Sequence, residues 1–263
     1  MELATGGDLL THLRERTCLD EAEAMRYFRD LAAAVDFLHS QNIAHRDLKL
    51  ENVVLTASGA CKLCDFGLAY EYSGHDVRAP LYDVCGSKSY VAPEVLVEMG
   101  YDGCLADIWS LGICLFAMTT GFFPFVEASA HNSYFAETQK LVGTCGSFTL
   151  CVFGLYRTPC TLSASTVSLI DSLLKIAPAQ RCSARTALAC EWEASATTHD
   201  EQLQRATRRG CPIELPSFDS PMESPTPTFD TTSWFAPTVS DSSCPSYWLG
   251  LAVVGVGQSV ACC

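Results

Sequence analysis

The chain has 263 residues, 48% of them hydrophobic, enough for one large domain or for one domain and a tail. Its formal net charge of −13 argues against nucleic acid or an anionic membrane surface as the main partner, because both demand a basic face. The same charge suits a basic peptide, and the scattered cysteines read as reduced thiols without a zinc site.

Met1-Glu2-Leu3 has neither a basic start nor a long apolar core, so no signal peptide is expected and the compartment is cytoplasmic, with the nucleus as a second place. Asp20, with Glu23 three residues on, forms a capping-box pattern and predicts a helix start. Met25, Phe28, Leu31, Ala32, Val35 and Leu38 then give one apolar face, and the helix is expected to end near Asn42. The run His45-Arg46-Asp47-Leu48-Lys49-Leu50-Glu51-Asn52 follows. Val53-Val54-Leu55 and Lys62-Leu63-Cys64 predict a small hairpin about a Ser58-Gly59 turn, and Asp65-Phe66-Gly67 comes directly after it. This hairpin offers a means of bringing Asn52 beside Asp65.

From Ile108 to Phe125 the chain is nearly all apolar. Asp107, Ser110, Thr119, Thr120, Gly121 and Pro124 make a buried core helix the better fit, with a membrane span as the alternative. Residues 127–153 have an odd composition and read as a surface insertion or as wrongly retained translated sequence. Val167 to Ile176 and Ser183 to Trp192 are further helix candidates, separated by Pro178. Beyond about Ala194 prolines alternate with Ser and Thr, so residues 195–263 are expected to be a disordered tail. Ser220, Ser224 and Thr226 precede prolines and are weak phosphosite candidates. Trp248 to Val256 is too short an apolar run to span a bilayer, and Cys262-Cys263 lacks the basic cluster of a lipidated end.

The ordered series of motifs carries more weight than any one of them. After the catalytic run and Asp65-Phe66-Gly67 come Tyr90-Val91-Ala92-Pro93-Glu94, Asp107-Ile108-Trp109-Ser110-Leu111-Gly112, Thr120-Gly121-Phe122-Phe123-Pro124-Phe125 and Pro178-Ala179-Gln180-Arg181. Residues 1–194 thereby resemble the C-terminal lobe of a eukaryotic serine/threonine protein kinase, leaning toward the calcium/calmodulin-dependent and related group. The resemblance implies a mainly α fold: a helical lobe with a small β-hairpin at the catalytic loop, plus the tail.

It also implies roles for single residues. Asp47 is the catalytic aspartate and Lys49 steadies the transferring phosphate. Asn52 and Asp65 would be the magnesium ligands, an amide and a carboxylate suited to a hard cation. Met1 would be the gatekeeper, with the backbones of Glu2 and Ala4 on the adenine edge of ATP, Asp8 near the ribose and Val54 on the adenine floor. Glu51, in the catalytic loop, and Asp8 would meet an upstream arginine of a protein substrate, implying a basic-directed preference. His45 would stack on Phe66, Asp107 would tie the buried helix to the catalytic loop, and Glu94 would pair with Arg181. Asp83 stands where an activating phosphothreonine is usual and would pair with Arg46. Ser87 keeps a hydroxyl to bridge Asp47 and Lys49.

Only forty-four residues precede His45, and they hold neither a glycine-rich loop nor a strand lysine. The expectation is therefore a lower lobe alone, with little or no activity. The alternatives are a non-catalytic docking or decoy module, and a fragment with no role.

Overall fold

The computed structural model describes residues 4–16, 18–72, 78–97 and 99–190. The expectations for Met1, Glu2 and the tail lie outside the described residues.

Helix α1 spans Leu9–Arg16 and buries Leu9, Leu10 and Leu13. Helix α2, Glu21–Ser40, starts where the capping pattern places it: Asp20 accepts from the Glu23 N–H at 2.8 Å. Only half of the box forms. Both oxygens of the Glu23 carboxylate take Arg16 Nη1, at 2.7 and 2.8 Å, and a charged guanidinium outcompetes a backbone amide for it.

The expected hairpin is present. Strand β2 (Val53–Leu55) pairs antiparallel with β3 (Cys61–Leu63), in the register Val53 to Leu63, Val54 to Lys62 and Leu55 to Cys61. The second strand starts one residue earlier than expected, and its Cys61 and Leu63 are both buried. The segment before α1 runs beside β2: Gly6 N–H donates to the Leu55 carbonyl, and Leu55 N–H donates to that of Gly7, each at 2.9 Å. A Cβ on Gly6 would lie 2.7 Å from that of Leu55, so this close approach needs glycine. A second ribbon joins β1 (Ile43–Ala44) to β4 (Tyr70–Glu71).

Helix α3, Gly103–Thr120, is the core of the molecule. Asp102 caps its start, and Gly121, at φ 78°, ends it in the left-handed conformation. The apolar run therefore splits: Phe125 lies beyond the helix but folds back to stack on Trp109. By length and composition α3 passes for a membrane span, yet 89% of that stretch is buried inside the protein. Thr119 and Thr120 bond back into the helix, to Leu115 O and Phe116 O at 2.9 and 2.7 Å, whereas the Ser110 hydroxyl donates to the Tyr90 carbonyl at 2.8 Å.

The region of odd composition has regular structure. It folds into helices α4 (Ser133–Cys145) and α5 (Phe148–Leu155), capped by Asn132 and Ser147. Phe135 and Phe148 meet the Trp109 ring edge-on, at 6.2 and 5.8 Å. Thr149 ties α5 to Asp171 through its N–H and its hydroxyl, at 2.8 and 2.7 Å. Aromatic burial of this kind belongs to a core. Helices α6 (Ala164–Leu173) and α7 (Ala184–Ala189) are the last two described helices. Glu21, at the start of α2, takes the Ser163 N–H and the hydroxyls of Ser163 and Thr166 at the start of α6.

Candidate active site

The residues from His45 to Asn52 form a loop held from below by α3. Asp107 is 1% exposed, and its two oxygens take the N–H groups of Arg46 and His45, each at 2.8 Å. His39 bonds the same carboxylate at 3.0 Å. Arg46 adopts φ 65°, a conformation that costs a non-glycine residue roughly 1–3 kcal/mol. The buried carboxylate beneath it supplies the compensation.

His45 is fully buried and connects the loop to the hairpin. Its Nδ1 lies 3.3 Å from the Asp47 N–H, and its Nε2 lies 3.2 Å from the Cys64 carbonyl. An N–H can only donate and a carbonyl can only accept, so the ring is neutral with its proton on Nε2. Burial pulls its pKa down, against the upward influence of Asp107, Asp47 and Asp65. The ring also packs on Phe66, 5.0 Å between centroids, as expected. A neutral, buried histidine in this position acts as a brace and not as a base.

Above this brace four functional groups converge. Lys49 Nζ lies 2.6 Å from Asp47 Oδ2 and 3.0 Å from Ser87 Oγ. The Ser87 hydroxyl donates to Asp47 Oδ1 at 2.9 Å, so the expected bridge is formed. Asn52 Nδ2 donates to the Asp47 carbonyl at 3.0 Å and to its carboxylate at 3.3 Å. That leaves Asn52 Oδ1 without a donor among the described residues. Cys64 N–H bonds the Asn52 carbonyl at 2.9 Å, and Asp65 is the next residue in the chain. Asp65 is exposed, at φ 63°, with the Gly67 N–H 3.3 Å from its Oδ1. The hairpin thus delivers Asn52 and Asp65 from neighbouring strands.

The outer residues are placed differently. Asp8 uses both carboxylate oxygens on Thr11, at 2.8 Å to its N–H and 2.7 Å to its hydroxyl, and so caps α1. Val54 is half-buried and forms a backbone bridge with Asp8, and Ala4 is half-buried. Glu51 accepts from the Tyr90 hydroxyl at 3.0 Å. The same Tyr90 oxygen lies 3.4 Å from the Leu50 N–H, and burial raises the phenol pKa well above its ordinary value. This link between the loop and residues 86–91 has no local signal in the sequence.

Arg46 and Asp83 do pair, but loosely. The separation is 3.7 Å, and the Asp83 side chain is 82% exposed. The segment is held more firmly by Tyr101: Leu81 and Tyr101 exchange backbone bonds at 2.8 and 2.9 Å, and the Tyr101 hydroxyl donates to the Asp83 carbonyl at 2.9 Å. Arg181 reaches Glu94 with both terminal nitrogens, at 2.5 and 2.8 Å.

The cysteines are not all scattered, contrary to expectation. Cys61-Lys62-Leu63-Cys64 is a C-x-x-C pair. Burial, with Asp30 nearby, pushes the Cys61 thiol up to about 12, and burial with Asp65 and Asp8 raises that of Cys64. Both stay protonated, and among the described residues no three His, Cys, Asp or Glu side chains converge as a metal site.

The sequence matches the protein kinase domain over residues 1–193. It is 39% identical to CBL-interacting protein kinase 16 of Oryza sativa subsp. japonica over 192 residues, covering 73% of this chain and 39% of that protein. CBL-interacting protein kinase 30 of the same organism is 47% identical over 129 residues, or 49% of this chain and 27% of the relative. CBL-interacting serine/threonine-protein kinase 9 of Arabidopsis thaliana is 44% identical over 134 residues, or 51% and 30%. The chain spans less than half the length of these curated relatives.

Proposed function

The chain belongs to the protein kinase domain family, and from that premise we propose that it carries the catalytic loop of a serine/threonine kinase, which transfers the γ-phosphoryl group of ATP to a protein hydroxyl, weakly in this chain alone. The observation that supports this is the convergence of Lys49, Asn52 and Ser87 on the one Asp47 side chain. A substrate hydroxyl docking at Asp47 Oδ1 takes the place of the Ser87 hydroxyl. Asp47 then orients the attacking oxygen and accepts its proton. Lys49, free to swing from Asp47 toward the phosphate, offsets the charge on the transferring oxygens. Asn52 keeps Asp47 in place through its amide nitrogen.

The donor set fits magnesium. An amide oxygen without a protein partner and an exposed carboxylate are hard ligands, and this cation takes one or two such groups and completes its shell with phosphate oxygens and water. Bound between Asn52 and Asp65, it would withdraw negative charge from those oxygens. The acidic chain and the carboxylate of Glu51 support a substrate with basic residues before the acceptor.

The test is transfer of labelled phosphate from ATP to a serine peptide by the full chain with magnesium. Asp47→Asn is expected to lower the rate about 10²- to 10⁴-fold, the usual contribution of general acid–base catalysis. An unchanged rate in that variant would remove Asp47 from the chemistry.

A further inference from the structure

Residues 86–91 form a turn laid against Asp47, and it is anchored on both sides. At Gly86, φ 98°, an added Cβ would lie 2.7 Å from the Arg46 carbonyl oxygen, so backbone meets backbone. Ser87 bonds Asp47 and Lys49. The N–H groups of Tyr90 and Val91 return to the Ser87 carbonyl at 2.8 and 3.1 Å, and the Ser89 hydroxyl reaches the Val126 carbonyl at 3.3 Å. Lys88 stands between these anchors, exposed and without an ion-pair partner among the described residues. Other cations at this site are engaged: Arg46 is buried, and Lys49 lies on Asp47. The ammonium thus stands unpaired among the described residues of a chain of net charge −13, one residue from the group touching Asp47.

We infer that Lys88 is a specificity-determining residue, favouring an acidic side chain next to the acceptor hydroxyl of the protein substrate; this deepens the kinase function proposed above and rests on it. A hydroxyl seated at Asp47 lies beside Ser87. Neighbouring residues of the peptide are about 3.8 Å apart along the chain, so a residue flanking the acceptor passes the Lys88 position. The lysine ammonium is a flexible point charge with three donors, able to follow a carboxylate. The pair forms in solvent, so the preference is modest, roughly two- to fivefold.

The experiment uses the full chain, magnesium–ATP and serine peptides that differ only in the residue on either side of the serine, which is Asp, Ala or Lys. Relative to the Ala peptide, Asp on one side is expected to raise kcat/KM roughly two- to fivefold and Lys to lower it. Lys88→Glu reverses the order, and Lys88→Met flattens it. The preference shrinks in about 0.5 M salt. Ratios to the Ala peptide cancel any general loss in a variant. The same peptides with the acceptor serine changed to alanine, followed by fluorescence anisotropy, give the ratio without phosphate transfer. Transfer or binding with the same ranking in wild type and Lys88→Glu overturns the role of Lys88 alone. Charge-ranked binding without transfer keeps that role and removes the kinase proposal for this chain. Neither binding nor transfer removes both.

Discussion

Breaking the Glu94–Arg181 pair is expected to destabilise the fold far more than breaking an exposed pair. The Arg181 side chain is 0% exposed and Glu94 14%. Arg181 also donates to the carbonyls of Lys175 and Leu105, at 2.9 and 2.8 Å, and lies 5.1 Å from the centre of the Trp109 ring. Glu94→Ala leaves those bonds but strands a buried cation, at a cost of about 3–5 kcal/mol. Glu94→Gln keeps one acceptor and loses one charge-assisted bond, about 1.5–3 kcal/mol. The comparison is Asp36→Ala: Arg185 and Asp36 are 3.2 Å apart but 75% and 27% exposed, and such pairs contribute about 0–1 kcal/mol. At roughly 2–4 °C per kcal/mol for a domain of this size, Tm should fall about 6–20 °C for Glu94→Ala and under about 4 °C for Asp36→Ala. Differential scanning calorimetry on the three variants decides it. Equal losses for Glu94→Ala and Asp36→Ala would refute the burial reasoning.

His45 has a folded pKa below its ordinary 6.5, so its neutral state contributes stability that is complete above that pH and is lost as the pH falls toward the folded value. Tm measured between about pH 7.5 and 5 should decline more steeply for the native chain than for His45→Phe, and parallel declines would remove the histidine from the effect. Gly86→Ala combines φ 98° with a 2.7 Å backbone clash, whereas Gly59→Ala has φ 80° and nothing nearer than 3.7 Å. Urea unfolding should therefore show the larger loss at Gly86, by about 1–3 kcal/mol. Asp83→Ala should change stability by under about 1 kcal/mol, because the carboxylate is 82% exposed. Limited proteolysis should find Tyr101→Phe cut faster between residues 79 and 90 than Asp83→Ala, and the reverse order would restore Asp83 as the main tie.

The features legible in the sequence were those with local causes. Asp20 announces α2 because a cap acts over three residues, and the Ser58-Gly59 turn between two short strand candidates announces the hairpin. The motif order points to one site for Asp47, Lys49, Asn52 and Ser87, and these four side chains meet. The helices α4 and α5 were not legible, because Phe135 and Phe148 acquire meaning only against Trp109, more than twenty residues away. The same holds for the left-handed backbone of Arg46 and Asp65, which no local preference demands. It holds too for Tyr90 on Glu51, a contact across 39 positions. Glu23 marks the opposite failure: a local signal was present, and Arg16 outcompeted it.

The dependence of the catalytic loop on Asp107 also gives the chain a direction in time. Ribosomes deliver His45 and Arg46 some sixty residues before the carboxylate that secures their amides. Until that acid emerges, Arg46 has no reason to hold a costly backbone angle. The loop therefore stays loose through early synthesis and sets late, when α3 has left the tunnel and can close beneath it.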